Sequence, residues 1–171
     1  MSSNIDTYES KKNKFIQTWG GLGSSWGISK TMAQIHALLL IAPQALSTEE
    51  IMEELAISRG NVNMNVRNLM DWGLVEKELK IGERKEFFVA NKDVEEFSRA
   101  IARERLKREL EPVQKVLSEL EIENPTTEEE IELQKVVGSV SNFTEQIISL
   151  LQKFIKSDQH WLYKSALKLL R

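Results

Sequence analysis

The stretch Leu46–Ala90, LSTEEIMEELAISRGNVNMNVRNLMDWGLVEKELKIGERKEFFVA, contains three changes of pattern within 45 residues. Ser47-Thr48-Glu49-Glu50 has the form of a capping box, in which the serine hydroxyl takes the amide three residues on and the glutamate reaches back. It opens a short helix whose apolar side is Ile51, Met52 and Leu55. Ala56-Ile57 turns the chain into a second cap, Ser58, and a further helix runs from Arg59 to about Trp72, stopping at Gly73 as a left-handed C′ residue. After Gly73 the period drops from 3.6 to 2. Leu74–Leu79 and Lys85–Val89 flank a turn carrying Gly82, the pattern of a β-hairpin. A lone hairpin is unstable in water, so it must lean on the helices before it. Short helix, tight turn, second helix and hairpin are the elements of a winged helix-turn-helix.

At ~100° per residue, Val62, Val66, Leu69 and Met70 form the core stripe of the second helix. Opposite them lie Gly60, Asn61, Met64, Arg67, Asn68 and Asp71, with Asn63 and Asn65 on the flanks. Asparagine competes with its own backbone and is a poor choice for an ordinary solvated helix face. It suits base edges, where Asn pairs with adenine and Arg with guanine. Gly60 in the first turn allows close approach of a phosphate, which the helix N-terminus also favours. The expected DNA-contacting set is therefore Ser58, Arg59, Gly60, Asn61, Asn63, Met64, Asn65, Arg67 and Asn68 on the helix, with Lys80, Arg84 and Lys85 at the hairpin tip. Arg84 is the expected minor-groove residue. From Ser47 to Ala90 there are six basic and nine acidic residues, so few phosphates can be neutralised per subunit and two copies one DNA turn apart are expected.

Outward from this stretch, Ser29 caps a helix that ends before Pro43. Upstream, Tyr8, Phe15, Trp19 and Trp26 recur on one helical face, although Gly20, Gly21 and Gly23 weaken the helix beyond Trp19. The stripe reads either as core or as the walls of a cage for a quaternary ammonium effector, held by cation–π attraction. Downstream the pattern is long and helical, kinked at Pro112 and broken by EIENPTT at 121–127, with Thr127 as a cap. Leu106, Leu110, Val113, Leu117 and Leu120, then Val140, Ile147, Leu151 and Phe154, give two short apolar seams suited to packing on each other or across a two-fold.

The whole chain bounds these readings. It has 171 residues, a net charge of −3 and no cysteine, which removes disulfides and thiolate chemistry. The longest apolar run, Ala37–Ala42, is far below the ~20 residues of a membrane span, and no signal peptide is legible; a cytoplasmic protein is expected. His36 and His160 stand apart without ligand spacing, so neither metal nor cofactor is expected, and no nucleophile elbow or phosphate loop suggests an enzyme.

The run ISRGNVNMNVRNLMDWGLV followed by a Gly-Glu-Arg turn resembles the MarR superfamily of winged-helix regulators, in particular the GbsR-type branch named for the glycine-betaine synthesis repressor. The likeness extends upstream to Gly27 and downstream to about Leu120, with Asn63 in place of the usual serine and Ala33-Gln34 in place of a commoner Gly-Arg pair. It implies a homodimeric transcriptional regulator that binds double-stranded DNA. The expected fold is thus mostly α with a small β-hairpin: a winged helix-turn-helix at 28–92 between N-terminal (1–27) and C-terminal (93–171) dimerisation helices. A winged-helix protein-interaction module is the alternative, favoured by the acidic balance and by Met64.

Overall fold

The computed structural model describes residues 7–25 and 27–157. Among them the chain forms two compact units, divided between Phe97 and Ser98. The first holds α1 (Tyr8–Ser25), α2 (Lys30–Ile41), β1 (Leu46–Ser47), α3 (Thr48–Leu55), α4 (Arg59–Asp71), β2 (Val75–Glu78), β3 (Phe87–Ala90) and the start of α5 (Val94–Arg105). The second holds the rest of α5, a π-helical turn (Leu106–Leu110), α6 (Glu111–Glu119) and α7 (Glu128–Lys156).

Local signals set most boundaries. Ser29 Oγ accepts from Met32 N at 3.0 Å to cap α2, and Ser47 with Glu50 completes the capping box of α3. Glu50 is held below the usual carboxylate range first by the Ser47 hydroxyl and then by its backbone N–H. At the end of α4, Gly73 takes φ +69 and donates to Met70 O, while Leu74 N reaches Leu69 O, the paired bonds of a Schellman stop. Between α3 and α4 the chain turns through Ala56 at φ 51, the one left-handed non-glycine residue described.

Three features differ from the sequence expectation. The sheet has three strands, in the order β1-β3-β2, because Leu46 and Ser47 pair antiparallel with Phe88 and Phe87. A two-residue strand has no period to detect, and Ser47 serves as strand residue and helix cap together. Second, α1 continues through its glycines to Ser25. A Cβ on Gly23 would stand 2.3 Å from Ala33 Cβ, and one on Gly20 would stand 2.7 Å from Gln34 Cγ. These two glycines let α1 lie closely along α2, and that packing outweighs their poor helix propensity. Third, Met70 is 38% exposed and does not belong to the core stripe; the buried residues around α4 are Val62, Val66, Leu69 and Trp72, closed over by Ile35, Leu39, Ile51 and Leu74.

No described member of the expected aromatic stripe is fully buried, since Tyr8 and Phe15 are exposed and Trp19 half-buried, and the buried large side chain of α1 is the neighbouring Ile16. Trp26 and His160 lie outside the described residues. Phe15 stacks on Trp19 at 5.6 Å, and Phe97 meets Trp19 and His36 edge-on at 6.1 and 5.4 Å. His36 is buried, Nε2 has no hydrogen-bond partner among the described residues, and burial pushes the imidazole down to about 4. Lys12 joins Glu54 at 2.6 Å, fastening α1 to α3.

In the second unit the π-helical turn stands immediately before Pro112, which lacks an N–H and sits in the first turn of α6. Widening the turn lets the helical path continue without the missing bond. Thr127 and Glu130 form a capping box at the start of α7. Gln114 Nε2 donates to Ser141 Oγ and Glu145 Oε1 at 2.9 and 3.0 Å, tying α6 to α7. Val137, Ser141 and Thr144 are buried, whereas Leu133, Val136, Val140, Phe143 and Leu150 are exposed. No described helix is long and apolar enough to cross a membrane.

Candidate nucleic-acid interface

Helix α4 is clamped before it reads anything. Ser58 Oγ accepts from Asn61 N at 3.3 Å at its first turn, the Schellman stop closes its last, and its inner stripe is buried to 1% exposure or less. The helix therefore offers its outer side chains from a fixed frame. Arg59, Gly60, Asn63, Met64, Arg67 and Asn68 are exposed, and Asn61 is half-buried. A Cβ on Gly60 would meet nothing within 4 Å, so the first turn is open on that side. Arg67 has no ion pair among the described residues and is available to an incoming anion or base edge.

Two expected contacts have other work. Asn65 is 1% exposed and belongs to the inner stripe; it is not available to a partner. The spacing 62, 65, 66, 69 is a regular i, i+3, i+4, i+7 stripe, and the helical period, taken without regard to residue type, already put Asn65 inside. Arg59 lies 2.6 Å from Glu49 and must exchange that carboxylate for a phosphate to take part. Exposed on both sides, such a pair is weak and readily traded.

The hairpin tip turns through Gly82 at φ +87, with Glu83 N donating to Lys80 O. Arg84 and Lys85 are exposed there. Lys80 folds back: its ammonium lies 4.0 Å from the Phe87 ring centroid and reaches Ala45 O at 3.4 Å. It braces the hairpin against the loop before β1, so the two outward cations are Arg84 and Lys85. Between α4 and the hairpin lies a notch of about 200 Å³ lined by Asn63, Val66, Arg67, Met70, Lys77, Glu86 and Phe88. Lys77 on β2, paired with Glu86 just before β3, is a cation that the sequence reading left out; its place on a strand next to a turn was the available signal.

A second concavity, about 350 Å³, is lined by Phe15, Trp19, Leu40, Ile41, Lys92, Val94 and Phe97. Tyr8 is not among its walls. Lys92 Nζ donates to Ala42 O at 2.5 Å there.

Residues 26–85 match the model of the MarR family. Over 76 residues the chain is 29% identical to the HTH-type transcriptional regulator MmpR5 of Mycobacterium tuberculosis, a stretch covering 44% of this chain and 46% of that protein. The match thus spans about half the length of that relative. A crystal structure of a transcriptional regulator superposes with a TM-score of 0.54 at 20% identity, over 84% of this chain and 99% of the other, and shares the fold.

Proposed function

We propose that this chain, whose winged helix at 26–85 is of the MarR family type, is a homodimeric, sequence-specific DNA-binding transcription regulator that acts as a repressor. One observation carries the reading: the clamped helix α4 turns Asn63, Arg67 and Asn68 outward beside an open Gly60 and a hairpin tip bearing Arg84 and Lys85. Amide and guanidinium groups on a rigid helix are the chemistry of major-groove readout, and an exposed arginine on a turn suits the adjacent minor groove. The segment's excess of acidic residues limits phosphate neutralisation, so two linked reading helices supply the affinity. Exposed Leu133, Val136, Val140 and Phe143 recur at three- and four-residue steps along α7, Leu150 follows one heptad later, and the row supports a second copy as the partner of that seam.

Selection of bound fragments from a genomic DNA pool, followed by affinity measured against salt, tests the reading. A DNA reader enriches a two-fold-related sequence and loses about one logarithmic unit of affinity per logarithmic unit of salt for each phosphate contact. A protein-interaction module, for which 58%-exposed Met64 is the specific argument, enriches nothing and holds its partner at high salt.

The GbsR-type assignment and its effector form the finer part of the proposal. Phe15, Trp19 and Phe97 supply aromatic rings to the concavity, whose faces would attract a quaternary ammonium group, and Lys92 in the same concavity carries a like charge. A zwitterion satisfies both, its carboxylate on Lys92 and its trimethylammonium on the rings. Tryptophan fluorescence titrated with betaine, choline and an uncharged isostere should respond most to betaine; no response to any of the three removes this effector class.

A further inference from the structure

The buried Asn65 sits in a chain of hydrogen bonds whose donors and acceptors can be assigned without ambiguity. A main-chain carbonyl can only accept, so the Asn65 atom 2.8 Å from Asn61 O is the donor Nδ2. The same nitrogen lies 2.7 Å from the Asn61 side chain, whose facing atom is therefore the acceptor Oδ1. On its other side, Asn65 Oδ1 receives the Ser29 hydroxyl at 2.9 Å, and Ser29 Oγ in turn accepts Met32 N as the cap of α2. Turning over the Asn65 amide would set its oxygen 2.8 Å from the Asn61 carbonyl oxygen, and although the Ser29 hydroxyl could meet either sense, that main-chain acceptor permits only one. Turning over the Asn61 amide would set two nitrogens face to face. Both flips are closed.

The consequence falls on Asn61, half-buried in the first turn of the reading helix. With Oδ1 turned inward, its Nδ2 and both protons are left for whatever approaches α4. We propose that Asn65 is a positioning residue that fixes the polarity of Asn61, so that this position meets a DNA base edge as a hydrogen-bond donor. The inference rests on the DNA-binding reading above. A fixed donor matches guanine O6 and N7 or thymine O4, meets adenine only at N7 beside the opposing N6 amino group, and is opposed by cytosine, whose major-groove group is itself a donor. An asparagine free to flip would not make that distinction, because it can offer either atom.

Full-length wild type, Asn61→Ala, Asn65→Leu and the double variant are put through selection from a randomised DNA pool. Leucine keeps the branching of asparagine at Cγ though its methyls are bulkier, Asn61 O keeps its helical N–H partner, and Ser29 keeps Met32 N, so Asn65→Leu leaves no buried group unpaired, and circular dichroism first confirms that it folds. The expected result is one position per half-site enriched in guanine or thymine and depleted of cytosine in the wild type. Asn61→Ala and Asn65→Leu each relax that position about tenfold, leave the other positions unchanged, and the double variant relaxes it no further. Side-chain ¹⁵N relaxation without DNA supplies a reading that needs no variant: the Asn61 Nδ2 group is ordered like backbone in the wild type, and it loosens in Asn65→Leu. A retained preference in a folded Asn65→Leu overturns the proposal, as does a mobile Asn61 amide in the wild type. Uniform weakening of all sequences by Asn61→Ala makes it a phosphate contact and overturns the base-reading claim. If the wild type selects no sequence, the DNA-binding reading itself fails, and the relaxation data report separately on the positioning.

Discussion

Two side chains on α4 of the same type have different fates: Asn61 is half-buried, with its oxygen turned in and its nitrogen left open, and Asn65 is sealed. Residue type alone cannot separate them, because an amide is equally suited to a base edge and to a sealed hydrogen-bond network. Arg67, exposed and free of any described ion pair, is expected to lose about 1 to 3 kcal/mol of DNA affinity on substitution by alanine while the circular dichroism and melting temperature hold. Gly60→Ala is expected to stabilise the free protein by up to about 1 kcal/mol, since nothing lies within 4 Å of the new methyl, and yet to weaken DNA binding if the backbone approaches a phosphate there. Unchanged affinity in both variants would move the interface off this face. His36 offers a test of the core. Its folded pKa of about 4 lies below the ordinary 6.5, so the unfolded chain takes up the proton first and stability is lost as pH falls from about 6.5 to about 4. The full loss is of order 3 kcal/mol, and a His36→Leu variant should lack it. Denaturant titrations of both proteins at pH 7 and pH 4.5 check the difference; parallel losses would mean that the imidazole is hydrated.

Helix α1 separates propensity from packing, because Gly20, Gly21 and Gly23 stand in one turn and meet different surroundings. Gly23→Ala is expected to destabilise by about 1 to 3 kcal/mol, since its methyl would sit on Ala33 Cβ at 2.3 Å and overpacking outweighs the ~1 kcal/mol gain in helix propensity. Gly21→Ala has open space and should gain that ~1 kcal/mol. Melting temperatures moving in opposite directions are the signature, and equal shifts would refute the close approach of α1 and α2. The same contrast marks what sequence could and could not say about elements. The caps at Ser29, Ser47, Ser58 and Thr127, the stop at Gly73 and the hairpin are local, each written within a few residues, and all were legible. Strand β1 is defined by partners some 40 residues away, and the glycine-rich half of α1 by a neighbouring helix, so both required tertiary contacts. Within the candidate site most of the exposed face of α4 was legible from its period, but residue type drew Asn65 outward and Met70 inward, and the structure reverses both. The inward turn of Lys80 was not legible, because nothing local distinguishes a lysine stacked on Phe87 from one in water.

At the scale of the molecule the proposed dimer has the exposed apolar seam on α7 as its expected interface. Phe143 is 64% exposed, so Phe143→Glu should leave each subunit folded while sedimentation at micromolar concentration shifts from dimer to monomer and affinity for a two-fold site falls toward that of a half-site. A dimer that survives the change would place the two-fold elsewhere. The other molecule-wide feature is the order β1-β3-β2, in which the middle strand is the last to be made. Leu46 finds its partner only when Phe88 has left the ribosome, 42 residues later, a delay of roughly two to eight seconds at ordinary rates of synthesis. Through that interval α2, α3 and α4 can already close on one another, since their contacts are local. The two outer strands wait unpaired through that interval, and the wait is a safe one: one is only two residues long and the other carries Glu76, Lys77 and Glu78, the short and charged kind of edge that resists pairing with another chain.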